Sequence, residues 1–183
     1  MRLAIILLTL IGPLVAGAEP PLQPLTVCEI MRNLAAYDGK VVAIVGRLSA
    51  RQTGRWLGEQ KCAQKLVVAG QEWPNALWLA YDPVDAPKPP AVLAVDAALL
   101  AQKLRAVKLG TALNKLRFGS GDYDSWAVVY GRVETRKDLV TVTPTGARKN
   151  GFGYGGSSPA RLVCHSDAVV ISLDDDAIVP ASP

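Results

Sequence analysis

One stretch occurs twice in the chain, first as Val41-Val-Ala-Ile-Val-Gly46-Arg47-Leu48-Ser-Ala-Arg51 and again as Trp126-Ala-Val-Val-Tyr-Gly131-Arg132-Val133-Glu-Thr-Arg136. Each copy is a run of five apolar residues followed by Gly-Arg, an aliphatic residue, two small or polar residues and a second Arg. Runs rich in β-branched and aromatic residues favour strands, and a Gly inside a strand marks a bend, a bulge or a close backbone approach. The repeat therefore predicts two long strands, each bent near its Gly, as a small closed barrel requires.

Two helices are predicted around these strands. Thr26 and Glu29 form a capping box, and Val27, Ile30, Met31 and Leu34 share one helical face, so a helix is expected over residues 27–34. A second helix is expected to begin after Asp96 as the N-cap and to end at Gly110.

Further apolar runs predict additional strands, which are Trp56–Glu59, Lys65–Val68, Ala76–Tyr81, Leu139–Thr143 and Ala168–Leu173. Residues 146–159 contain five glycines and are expected to form a loop. The helix that starts near Asp96 then falls between the third and fourth strands of a Greek-key order. The fold class predicted is mainly β with two helices, an OB-like barrel of five to six strands. The alternative is an α+β sheet with both helices on one face.

The N-terminus has the features of an export signal. Arg2 precedes an apolar segment over residues 3–14, and Ala16-Gly17-Ala18 fits a cleavage site. The apolar run is shorter than the ~20 residues of a spanning helix, and no later run is long enough, so no membrane span is expected after cleavage. The predicted organisation is a signal peptide at 1–18, an extended leader at 19–25, one domain at 26–174 and a flexible tail at 175–183. The predicted location is periplasmic or secreted.

The charge of the chain argues against a nucleic-acid partner. The formal net charge is +4, and it falls to +3 when Arg2 is removed with the signal. The basic residues are scattered, and the densest groups are Arg47/Arg51/Arg55 and Arg132/Arg136/Lys137. Nucleic-acid binders usually concentrate basic residues on one face, so we interpret these groups as solvated surface.

Several short motifs resemble those of small exported bacterial proteins that have no assigned activity. They are Val27-Cys28-Glu29, Tyr37-Asp-Gly-Lys40, Val45-Gly46-Arg47, Trp73-Pro74-Asn75-Ala76, and Gly151-Phe-Gly-Tyr-Gly followed by Pro159-Ala160-Arg-Leu162. The resemblance extends over roughly residues 27–173 and implies an OB-like barrel. It implies no catalytic residues.

The three cysteines leave one thiol over after pairing. We predict a Cys28–Cys62 disulfide, which would hold the first helix to the barrel and contribute about 3–4 kcal/mol in the chain-entropy estimate. Cys164 is then expected to be a buried free thiol. Pairing of Cys28 with Cys164 is a reasonable alternative, since it would join the two ends of the domain.

No catalytic, metal or cofactor signature is present. Cys164 and His165 are adjacent, but neighbouring residues on a strand point to opposite faces, which argues against a dyad. Cys28, Cys62, Cys164 and His165 do not have the spacing of a zinc site, and Asp174-Asp175-Asp176 lacks the spacing of a calcium loop. We therefore expect no cofactor.

Aromatic residues are the candidates for ligand binding. Trp56 and Trp78 are candidates for a barrel face, where rings stack on sugars or bases, and Phe152 and Tyr154 are presented by the glycine-rich loop. We expect an exported binding module for a peptide, a glycan or a partner protein. The alternative is a small periplasmic hydrolase or lyase with carboxylates such as Glu59, Asp82 or Asp124 at the barrel mouth.

Overall fold

The computed structural model describes residues 21–59, 61–81, 83–90, 94–112 and 125–173. The predicted signal peptide, Asp82, Asp124 and the predicted tail at 175–183 lie outside these residues. Among the described residues, no helix combines the length and the apolar composition that crossing a bilayer requires.

The described chain begins with a short strand and two short helices, β1 (Leu25–Thr26), α1 (Val27–Arg32) and α2 (Leu34–Tyr37). The capping box is confirmed, because Glu29 N donates to Thr26 Oγ1 at 3.2 Å and Thr26 N donates to Glu29 Oε2 at 2.7 Å. The single helix predicted over 27–34 is instead broken at Asn33, whose φ of −146° and ψ of 63° are not helical. The two helices still bury the predicted apolar face.

The remaining elements form a mainly β domain. They are β2 (Val41–Arg51), β3 (Gly54–Gly58), β4 (Val67–Val68), β5 (Gln71–Glu72), β6 (Ala76–Tyr81), α3 (Ala97–Ala112), β7 (Ser125–Thr135), β8 (Val140–Thr143), β9 (Gly146–Lys149), β10 (Ala160–Cys164) and β11 (Val169–Leu173). Five of the strands pair in the ring β2-β3-β6-β10-β7, which closes because β7 also pairs with β2. β6 and β10 are parallel, and the other neighbours in the ring are antiparallel. The predicted OB-like Greek-key barrel is therefore confirmed.

Both repeat glycines lie where a long strand changes its neighbour. β2 pairs with β1 at Ile44 and Val45 and with β3 from Arg47 onward, so the exchange occurs at Gly46. β7 pairs with β11 as far as Val129 and with β10 from Arg132 onward, which places Gly131 at the corresponding position. A strand must bend where one partner replaces another on the same edge, and glycine permits the close contact that results.

Two buried layers fill and cover the barrel. Apolar residues of α1 and α2 lie in the same buried cluster as Leu57, Leu77, Leu162 and other barrel residues. A second cluster forms between α3 and the β2–β7 pair, where Leu100, Leu104 and Val107 pack against residues that include Ala43 and Val128. Asp96 caps α3, since its Oδ1 accepts from Leu99 N at 2.9 Å, as predicted.

Three further details differ from the sequence-based prediction. α3 continues through Gly110 to Ala112, so the glycine does not end it. The segment over 146–149 is not a loop but β9, which pairs with β8 as a hairpin with Gly146 at its turn. The barrel strand β10 was not among the predicted strands, because its polar Arg161 and its five-residue length give little periodic signal.

The predicted disulfide joins Cys28 to Cys62, and Cys164 is buried and takes part in no disulfide. The bond links α1 to the chain that follows β3 across a sequence separation of 34 residues. The chain between β3 and β6 contains only the two-residue strands β4 and β5, so few strand hydrogen bonds hold it. The disulfide supplements these hydrogen bonds.

We predict that Gly131→Ala lowers the free energy of unfolding by about 1–3 kcal/mol, because overpacking forces the neighbours to move. A Cβ at Gly131 would lie 2.6 Å from the Val163 carbonyl oxygen and 2.8 Å from Leu162 Cγ. Gly46→Ala should cost less, since its nearest atom is Leu57 Cγ at 2.9 Å. Denaturant unfolding of each variant measures the effect.

Gly58→Ala is the matched control, because a Cβ there meets nothing closer than the Asn75 carbonyl oxygen at 3.4 Å. It should change stability by less than about 0.5 kcal/mol. Equal stabilities for the three variants would contradict the close approach of the barrel strands at Gly46 and Gly131.

Candidate ligand-binding face

A row of outward-facing residues crosses the barrel at right angles to its strands. Trp56 on β3 is in register with Trp78 on β6, and Trp78 is in register with Arg161 on β10. Arg161 is in turn opposite Glu134 on β7. Because side chains alternate along a strand, these residues lie outside while their neighbours Leu57 and Leu77 are fully buried. We call this row, together with Phe152 and Tyr154, the aromatic face.

The two tryptophans contact each other directly. Their ring centroids lie 5.1 Å apart with an interplanar angle of 83°, which is an edge-to-face pair. This geometry is favourable for aromatic rings, and both side chains are half-buried. Trp56 and Trp78, predicted separately from the sequence, thus form one aromatic unit on β3 and β6.

Trp78 is also the point at which two loops contact the barrel. A Cβ at Gly54, after the β2–β3 turn, would lie 1.9 Å from Trp78 Cη2, and one at Gly153 would lie 2.1 Å from Trp78 Cε3. Both glycine backbones therefore lie directly against the indole ring. A residue with a side chain at either position would push the backbone away from the ring. Trp78 consequently holds the glycine-rich loop against the face, and less of its own ring is left for a ligand.

The glycine-rich loop brings Phe152 and Tyr154 beside the tryptophans, because Gly153 separates them in sequence and lies on Trp78. The loop is closed by reciprocal backbone hydrogen bonds between Phe152 and Ser158, with N–O distances of 2.7 and 3.1 Å. Tyr154 is 72% exposed. The segment that carries Phe152 and Tyr154 therefore reaches the side of the barrel on which Trp78 lies, through Gly153.

Two cationic side chains lie against Phe152, with the guanidinium carbons of Arg136 and Arg161 at 4.7 and 5.3 Å from its ring centroid. On the core side of β3 and β6, the guanidinium carbon of Arg55 lies 5.0 Å from the centroid of Tyr81, which packs against the core. Contacts of this length are favourable cation–π interactions. Burial raises the pKa of the Tyr81 phenol, so the ring stays neutral beneath Arg55 at physiological pH. Sequence reasoning noted Arg55 and Arg136 as solvated charge, and it missed Arg161, which gains its position from strand pairing.

A second polar cluster lies between α1, α3 and the end of β3, and it contains the carboxylate Glu59 of the enzyme alternative. Lys103 Nζ donates to both Glu29 oxygens at 2.8 and 2.6 Å, and Cys28 N donates to Glu59 Oε2 at 2.9 Å. Both carboxylates thus serve as acceptors for backbone or lysine donors that fasten α1 to its neighbours.

The two glutamates of this cluster have opposite pKa shifts. Burial raises the pKa of Glu59 above its usual value, in spite of the hydrogen bonds from the Cys28 backbone and Thr26. Burial also acts to raise the pKa of Glu29, but the hydrogen bonds and charge of Lys103 and the Thr26 backbone outweigh it, so the Glu29 pKa is lowered. The Glu29–Lys103 ion pair therefore stabilises the fold at neutral pH, whereas an ionised Glu59 destabilises it.

The cysteines and the histidine that were considered as zinc ligands make other interactions in the structure. The Cys28 and Cys62 sulfurs and a Glu59 oxygen lie within 4.8 Å of one another, but the two sulfurs are joined in the disulfide and are not thiolates. Cys164 Sγ lies 3.8 Å from the Ala80 carbonyl oxygen, and His165 Nδ1 lies 3.4 Å from Asp167 Oδ2. The residues weighed as zinc ligands are therefore not assembled into one site.

Comparison of the chain with family models, with curated proteins and with solved structures finds no match. The resemblance to small exported bacterial proteins stays a prediction. Function must therefore be inferred from the geometry of the aromatic face and its surroundings.

We predict that Glu29→Gln and Glu59→Gln have opposite effects at pH 7. Glu29→Gln should lower the free energy of unfolding by about 1 kcal/mol, because it breaks a partly buried ion pair. Glu59→Gln should leave stability unchanged or raise it, since the amide oxygen still accepts from Cys28 N and no buried charge remains. Denaturant unfolding at pH 4 and pH 7 measures both.

The sign of each stability change follows from the linkage between proton binding and folding. A raised pKa in the folded state costs stability as the pH rises from about the ordinary Glu value of 4.5, and Glu59→Gln removes that cost. A lowered pKa contributes stability that is fully present above about 4.5 and is lost as the pH falls below that value through the folded pKa, and Glu29→Gln removes that contribution. A larger loss at pH 7 for Glu59→Gln than for Glu29→Gln would contradict these assignments.

Proposed function

We propose that this protein is an exported, non-catalytic module that binds an oligosaccharide across its aromatic face. The observation that carries the proposal is the contact of Trp56 with Trp78, together with the contact of the same indole ring with Gly153, which lies between Phe152 and Tyr154 in the chain. Monomeric proteins place aromatic side chains mostly in the core, so such a cluster outside a barrel suggests a binding role.

The position of the face within the barrel supports the proposal. OB-type barrels bind oligonucleotides and oligosaccharides on their second and third strands and on the loops that join strands one to two and four to five. In this chain the second and third barrel strands are β3 and β6, which carry Trp56 and Trp78. The loop between barrel strands four and five runs over residues 136–159 and includes Phe152 and Tyr154.

The chemistry of the face suits a sugar. Rings such as Tyr154 and Trp56 offer flat apolar surfaces to the C–H side of a pyranose, and their polar atoms remain able to hydrogen-bond. Arg161 adds N–H donors for hydroxyl oxygens beside the Phe152 ring. A few directed donors around an apolar platform give orientation as well as affinity.

The Cys28–Cys62 disulfide favours a saccharide over a nucleic acid, because it is compatible with an oxidising compartment outside the cytosol, in keeping with the predicted export signal.

We predict that Tyr154→Ala and Trp56→Ala weaken oligosaccharide binding by at least about fivefold, which corresponds to about 1 kcal/mol for a lost stacking contact. The probes are cellohexaose, chitohexaose, a galacturonate hexasaccharide and a sulfated heparin hexasaccharide, measured by isothermal titration calorimetry. Val84→Ala, which truncates a fully exposed apolar side chain outside the aromatic face, is the control and should leave affinity unchanged.

Thermal melts of the variants separate lost contacts from lost folding, and Tyr154 is exposed enough for its truncation to spare the fold. Three outcomes would contradict the proposal. They are binding of none of the saccharides, binding that Tyr154→Ala and Trp56→Ala both leave unchanged, and tighter binding of single-stranded oligodeoxythymidylate than of any saccharide.

A further inference from the structure

A basic cavity lies beside the aromatic face, where the β8–β9 hairpin meets the glycine-rich loop. Its volume is about 450 Å³, and its lining includes Arg136, Arg148, Lys149, Gly151, Gly155 and Gly156. This size is within the range of small-molecule sites, and the cavity adjoins Phe152 through Arg136. We call it the basic cavity.

The two arginines of the basic cavity differ from the other arginines near the aromatic face in their pairing. Among the described residues, neither Arg136 nor Arg148 forms an ion pair with a carboxylate. By contrast, Arg161 pairs with Glu134 at 2.6 Å, and Arg132 pairs with both Asp85 and Glu134. A concave surface with uncompensated guanidinium groups has a positive potential and attracts anions.

Two of the cations are held in place before any ligand arrives. Arg136 lies over the Phe152 ring, and Lys149 Nζ both donates to the Glu72 carbonyl oxygen and lies 5.0 Å from the Trp73 ring centroid. Side chains that are already fixed lose less conformational entropy when they bind. Arginine in particular presents a planar set of donors that matches the oxygens of a phosphate or sulfate.

Part of the lining of the basic cavity is glycine backbone, because Gly155 and Gly156 line it with φ values of 65° and 64°. The Gly156 amide donates to the Gly153 carbonyl oxygen at 3.0 Å and is therefore already used within the loop. The arginine side chains are thus the donors on which an anion in the cavity depends. Contact of Gly153 with Trp78 fixes the position of this loop.

We propose that the basic cavity is an oxyanion subsite, which holds a sulfate or phosphate monoester carried by the oligosaccharide on the aromatic face. The inference rests on the proposed function for the identity of the carrier, and on the cavity itself for the charge of the group. The sugar would stack near Tyr154 while its ester oxygens accept hydrogen bonds from Arg136 and Arg148. The subsite thereby makes the module selective for acidic over neutral glycans.

The test compares cellohexaose with its 6-O-sulfated and 6-O-phosphorylated forms by isothermal titration calorimetry. We expect at least one ester to bind at least about tenfold more tightly than the neutral sugar, as one or two charge-assisted hydrogen bonds would give. In Arg148→Gln and in Arg136→Gln this preference should fall below about threefold. Arg105→Gln on α3 removes the same charge outside the cavity and should retain the preference.

A second readout uses inorganic sulfate and inorganic phosphate alone, with the amide resonances of Gly151, Gly155 and Gly156 as reporters in heteronuclear NMR. Saturable shifts are expected in the wild type and in Arg105→Gln but not in Arg148→Gln. Because Arg148 is exposed, this variant keeps its fold, which the rest of the spectrum verifies. The relative shifts with the two anions, and the two esters, distinguish sulfate from phosphate as the group bound.

The outcomes separate this inference from the proposed function. Equal affinity for all three saccharides, or an ester preference that survives both Arg variants, would overturn the oxyanion subsite even if cellohexaose binds. If no saccharide binds while the free anions shift the three glycine amides, the subsite stands and the oligosaccharide carrier is wrong. If neither saccharide nor free anion has an effect, both proposals fail.

Discussion

The pairing of β2 with β7 is the constraint on which the rest of the structure depends. The two strands match over eight residue pairs and close the five-stranded ring. Each also exchanges one neighbour for another at its glycine, Gly46 or Gly131. The two strands are antiparallel and carry the same pattern, so the repeat is a local two-fold symmetry at the barrel seam. Without both bends, one long strand could not serve as the edge for two partners.

Closure of the ring also produces the aromatic face. Because β3 and β6 lie between β2 and β10, their registers place Trp56, Trp78 and Arg161 in one row. Trp78 then meets the backbone of two glycines from different loops, Gly54 and Gly153. The same contact that fastens the loops brings Tyr154 to the face and sets one wall of the basic cavity. The indole ring of Trp78 therefore links the barrel strands to both loops that border the aromatic face.

Local sequence patterns predicted the parts of this arrangement that depend on near neighbours. The capping box of Thr26 and Glu29 and the Cys28–Cys62 pairing are confirmed, and neighbouring atoms approach closely at both repeat glycines, as a glycine inside a strand indicates. Features that depend on distant pairing were missed. Arg161 reaches Trp78 through a parallel pairing across a long stretch of chain, and β10 is too short to show a period. Gly110 lies inside α3 although its sequence signal is that of a helix end.

The contact between Trp78 and the two glycine backbones is the central claim, and proton NMR tests it most directly. The account predicts nuclear Overhauser effects from the α-protons of both Gly54 and Gly153 to the six-membered ring of Trp78. It also predicts that these α-protons have chemical shifts displaced by the ring current of the indole. Random-coil shifts for both glycines, with no cross-peaks to Trp78, would show that the loops do not lie against the barrel and would contradict the account.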